Sequence, residues 1–114
     1  MSKSLKARCI RRWEVEFRPV CDSKVSPHWR RHHLRGFIRS LALTTANCMA
    51  MRMAEDNAKA DYQGGKRDWS PELSSWYREH QEQYLKEAWD YLNEEATNDE
   101  IDEQISDELE AWND

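Results

Sequence analysis

At 114 residues and 13.7 kDa the chain has room for one domain. Three glycines and three prolines exclude a collagen-like or Pro/Gly-rich low-complexity chain, and 39% apolar with 34% charged residues supports one modest core. The net charge of −5 hides a division: residues 1–53 hold 12 Lys and Arg against three acidic residues, whereas residues 54–114 hold five against 19.

That polarity points to an electrostatic partner for one half, or to neutralisation of the halves within the fold or in a homodimer. No apolar run reaches the ~18 residues that a membrane span needs. Residues 37–54 come nearest, but Arg39 and Arg52 interrupt them. The opening MSKSLKARCIRR is basic with no apolar stretch behind it, so no secretory signal is expected and the chain reads as soluble and intracellular. Cys9, Cys21 and Cys48 are odd in number and irregularly spaced, which suits reduced thiols.

Residues 1–25 read as an extended arm. Trp13, Val15 and Phe17 alternate with Glu14, Glu16 and Arg18, the period-two pattern of a half-buried strand, and Pro19 closes it. Residues 26–63 read as a core helix. Ser26-Pro27 supplies a cap and a first-turn proline, Gly64-Gly65 ends it, and Leu34, Phe37, Ile38, Leu41, Thr45, Cys48 and Met49 share one face. Small residues at Ala42, Ala46 and Ala50 predict burial on more than one side.

Ser70-Pro71 repeats the helix start and opens an amphipathic aromatic helix over 70–96. Its stripe runs through Leu73, Trp76, Tyr77, His80, Tyr84, Leu85, Ala88, Tyr91 and Leu92, and it folds back on the core helix as a hairpin. Thr97 with Glu100 three residues on has the form of a capping box, and Ile101, Ile105, Leu109 and Trp112 give residues 97–114 a narrow stripe. Ten acidic residues and no Lys or Arg lie between positions 94 and 114, so this helix either docks through four side chains or orders on a partner. The expected fold is therefore all-α: a helical hairpin with an extended amino-terminal arm and an acidic carboxyl-terminal helix.

For metal binding the candidate set is Cys9, Cys21, His28, His32 and His33. It lacks a close Cys pair, so no metal or other cofactor is expected. There is no phosphate loop, nucleophile elbow or H-E-x-x-H motif, so no catalytic residue is assigned and an enzyme is not expected. The acidic pairs Glu94-Glu95 and Asp102-Glu103 read as solvated helix surface.

Two binding surfaces remain. Trp29, Arg30, Arg31, Arg35 and Arg39, with Lys6, Arg8, Arg11 and Arg12 in support, could grip the phosphates of a nucleic acid while Trp29 stacks on a base. The competing expectation is that these cations pair with the chain's own acidic half, and a pI near 5.4 is low for a nucleic-acid binder. For protein contact the candidates are Trp69, Pro71, Trp76 and Trp112, because tryptophan often dominates interfaces. Trp69 could equally staple the helix start onto Leu73. The acidic final segment could imitate the phosphate charge of DNA, or serve solubility.

In the run MSKSLKARCIRRWEVEFRP and its helical, tryptophan-rich, charge-polarised remainder, the chain resembles the anti-RecBCD recombination-modifier proteins of P22-like lambdoid phages. The resemblance implies a non-enzymatic modulator that binds a subunit of a host DNA-repair nuclease and inhibits or redirects it. It also implies host contacts near Ser70-Pro71.

Overall fold

The computed structural model describes residues 4–21, 33–63 and 69–112, and all their side chains except those of 18–21 and 63. All regular structure among them is helical: α1 (Leu5–Cys21), α2 (Arg35–Gln63), α3 (Pro71–Glu95) and α4 (Asn98–Trp112). No described helix is long and apolar enough to cross a membrane.

The first element corrects the extended arm. Leu5, Cys9 and Trp13 recur every four residues and are fully buried, and Phe17 continues the row at partial burial. That spacing is one face of a helix. The alternation that suggests a strand spans only three apolar residues, and its middle member, Val15, is 41% exposed. Pro19 falls in the last turn of α1, where its missing N–H breaks a single bond of the ladder. The start is capped twice: the Ser4 hydroxyl accepts from the Ala7 N–H at 3.2 Å, and Asn93 Oδ1 on α3 accepts from the Leu5 N–H at 2.8 Å.

Leu34, Ile38 and Thr45 of the α2 region are buried, as their shared face predicts. Phe37, placed on the same face, is instead half exposed. The rest of the buried surface is a ridge of alanines at four-residue intervals: Ala42, Ala46, Ala50, Ala54 and Ala58, each at most 1% exposed. Each step of four advances roughly 40° round the axis, so the buried face migrates along the helix. This lets α2 pack on both α1 and α3. Methyl-sized side chains on such a ridge permit close approach of two helices. The Ser26-Pro27 start and the Gly64-Gly65 turn lie outside the described residues.

Helix α3 begins as its sequence predicts. Ser70 is extended at φ −126° and ψ 162°, its hydroxyl accepts from the Leu73 N–H at 3.1 Å, and Pro71 occupies the first turn with Glu72. Ser70→Ala is expected to cost about 1 kcal/mol in a denaturant melt, whereas Ser70→Gly costs only a few tenths. Leu73, Tyr77, Tyr84, Ala88 and Leu92 form its buried stripe; Tyr91, expected among them, is 55% exposed.

Only Ala96 and Thr97 separate α3 from α4. The Thr97 capping box forms in both directions: Glu100 N–H donates to Thr97 Oγ1 at 3.1 Å, and Thr97 N–H donates to Glu100 Oε1 at 3.2 Å. Ile101 and Ile105 are buried and Leu109 is partly so, whereas Trp112 at the end of the stripe remains 53% exposed.

Candidate functional site

The basic amino-terminal helix is bound to the acidic half of the chain. The Arg8 guanidinium donates to the Leu92 carbonyl at 3.0 Å and to the Ala96 carbonyl, closing the end of α3, where a cation also meets the negative pole of the helix dipole. Arg12 makes a two-pronged ion pair with Asp102, both N–H···O distances being 2.7 Å. Lys6 Nζ stands 5.5 Å from the centre of the Trp89 ring. Arg8 and Arg12 are thus engaged within the fold, whereas Lys6 remains exposed beside Trp89. Asp102, expected as solvated surface, is a structural partner.

Trp13 is the hub of this docking. Its Nε1–H donates to Thr45 Oγ1 at 2.8 Å, and Thr45 Oγ1 lies 2.6 Å from Glu108 Oε2 and 3.0 Å from the Leu41 carbonyl. α1, α2 and α4 therefore meet at one buried hydroxyl. Trp112 stacks on Trp13 at 5.8 Å, Phe17 stacks at 5.8 Å, and Phe37 meets Phe17 edge-on at 5.8 Å. Cys9 is buried in the same core. Burial pushes its pKa up to about 12, with Arg8 opposing and Glu108 adding to the rise, so the thiol stays protonated.

A second aromatic cluster sits at the hairpin end. Trp76 stacks on His80 at 4.5 Å and lies 5.2 Å from Tyr62 across the hairpin, while Trp69 meets Tyr77 edge-on at 5.6 Å. Trp69 is 40% exposed and Pro71 is exposed, whereas Trp76 is half-buried. Trp69 thus packs on Tyr77 while keeping an open face. Three of the four candidate contact residues share this end. Trp112 belongs to the other cluster, separated by the 17 residue steps of α2 from Thr45 to Tyr62, roughly 25 Å along the axis.

Tyr84 ties this cluster to α2. Its hydroxyl donates to Asp61 Oδ2, and that bond, aided by burial, pushes its pKa from 10.0 up to about 12. The raised value means that the folded chain holds this proton more tightly than the unfolded one. The resulting stabilisation is intact below about pH 10 and disappears as pH climbs through about 12. Tyr84→Phe is expected to lower stability near neutrality and to flatten the alkaline decline, read from urea melts on either side of about pH 10.

Between α2 and α4 runs a groove of about 330 Å³. Its floor is Met49, Met53 and Leu92, and its rim carries Asp56, Glu100, Glu103 and Asp107 against the single cation Arg52. Gln104 also lines it. This side chain is only 6% exposed and makes no hydrogen bond within the described residues. Sequence reasoning missed the groove because its two sides are some 50 residues apart. The available signal was a glutamine beside Ile101 and Ile105 on the buried face of α4.

The basic candidates divide. Arg35 and Arg39 are exposed near the start of α2 and form no ion pair with the described residues. Trp29, Arg30 and Arg31 lie outside the described residues, as do His28, His32 and the Cys21 side chain of the metal set. Among the described residues no three His, Cys, Asp or Glu side chains are placed to share a metal ion. No family model, curated protein or solved structure matches the chain.

Proposed function

We propose that this chain is a non-enzymatic modulator that docks on a host DNA-repair nuclease complex of the RecBCD type and inhibits or redirects it. The observation that carries the reading is the unequal use of charge. Arg8 and Arg12 of α1 turn inward onto the end of α3 and Asp102, while Asp99, Glu103, Asp107 and Glu110 of α4 stay exposed without an ion pair among the described residues. A surface built to hold DNA phosphates attracts such a carboxylate-bearing face. Trp69, Pro71 and Trp76 at the hairpin end, and Trp112 at the end of α4, supply apolar anchors of the kind that dominate interfaces.

The reading places the chain in the cytoplasm of a bacterial host. Its test is the purified nuclease complex mixed with this protein, assayed for co-sedimentation and for digestion of linear duplex DNA. A stable complex with altered digestion is the expected result. Unchanged digestion with no complex at low salt removes the proposal.

A second reading is favoured by Arg35 and Arg39, which remain outward and unpaired among the described residues. With Trp29, Arg30 and Arg31 they would form a nucleic-acid contact. DNA binding through two described arginines carries a log–log salt slope of roughly −2, and the absence of salt-sensitive binding excludes it. Homodimer formation through opposite halves would appear as a salt-dependent sedimentation coefficient.

A further inference from the structure

We propose that the groove between α2 and α4 is a receptor for one arginine side chain from a basic segment of a partner protein; this deepens, and rests on, the docking reading above. Four carboxylates against one guanidinium give the lining a surplus of three negative charges. Those carboxylates ring the opening and do not converge: no three of them are placed to share a metal ion. The site therefore suits an extended cation with several donors better than a point charge. The guanidinium is that cation: planar, weakly hydrated and carrying five N–H donors.

The floor fits the rest of the side chain. Met49, Met53 and Leu92 offer an apolar bed for a three-carbon stem, and thioethers adapt to an incoming shape. The third element is Gln104. The residue is only 6% exposed and lines the groove, its carboxamide makes no hydrogen bond among the described residues, and neither amide atom is sealed from solvent. Its carboxamide oxygen can accept from a guanidinium that enters between Glu103 and Asp107, which lie on the same helix one residue before it and three after. The occupant thus gains an acceptor on the groove wall that no described residue uses.

The full-length protein labelled with 15N is titrated with acetyl-Gly-Arg-Gly-amide, and with its lysine and citrulline counterparts. The arginine peptide is expected to shift the Gln104 side-chain amide and backbone signals within 49–57 and 100–107, and to bind on the order of tenfold tighter than the neutral citrulline peptide. Gln104→Leu and the surface variant Asp107→Asn are each expected to weaken arginine binding severalfold, and the second keeps the test valid should the first fail to fold. Equal binding of lysine, equal binding of citrulline, or shifts confined to other surfaces would each overturn the assignment. A nuclease complex that binds the wild type and Asp107→Asn equally, with no arginine-peptide binding, overturns this inference alone. Peptide binding at the groove with no nuclease complex formed overturns the docking reading alone.

Discussion

Thr45→Val is expected to destabilise the protein by about 3 kcal/mol, because one methyl-for-hydroxyl exchange strands two buried groups at once. The Trp13 Nε1–H loses its acceptor, and the Glu108 carboxylate loses the partner of Oε2 while Oε1 is already buried without one. Removing one side of a buried polar pair costs the desolvation of the group left behind, and more for a charged one. Valine keeps the shape, so the loss reports hydrogen bonding and not a cavity. The midpoint of thermal unfolding should fall by roughly 12 °C for a chain of this length. Adding Glu108→Leu to Thr45→Val should restore part of the loss, since it removes the stranded carboxylate. A thermal midpoint within about 2 °C of wild type for Thr45→Val would show that this hydroxyl does not hold α4 to α1 and α2.

Ala50→Leu is expected to cost about 3 kcal/mol or to disrupt the hairpin outright. Ala50 is 0% exposed at the centre of the five-alanine ridge. Three added carbons have no room without displacing a helix, and overpacking of this kind typically costs about 1–3 kcal/mol and sometimes more. The control lies further along the same helix. Ala60 is exposed, and Ala60→Leu should change stability by no more than about 0.5 kcal/mol. Urea melts of the two variants separate the ridge from helix propensity, because leucine and alanine are both good helix formers. Equal effects at positions 50 and 60 would contradict the packing described.

What could be read from the sequence was local. The Ser70 cap, the first-turn proline and the reciprocal Thr97–Glu100 bonds depend on residues within one helical turn, and they form as their spacing predicts. The hairpin and the all-α class follow from long apolar stripes of the same period. At α1 the pattern misleads, because Trp13, Val15 and Phe17 satisfy a two-residue period, while the longer four-residue row begins at Leu5 and includes a cysteine. Helix ends closed from a distance left no local trace: the Arg8 bonds to Leu92 and Ala96 span 84 and 88 residues.

The candidate surfaces show the same limit. Charge polarity was legible as a sum, but which cations turn inward depends on tertiary packing. Arg12 and Arg11 are neighbours in sequence, yet only Arg12 reaches Asp102. Trp112 and Trp69 look alike as exposed tryptophans near helix ends. The fold assigns them to different clusters, one stacked on the Trp13 hub and one on Tyr77.

Hydrogen exchange of the full chain, alone and with the purified nuclease complex, probes the central claim at residue level. Slowed exchange over α4 and residues 49–57, with Arg35 and Arg39 unchanged, is the outcome expected of docking through the carboxylate face. Protection centred on residues 35–39, or an unchanged pattern under conditions where the complex is intact, would contradict it.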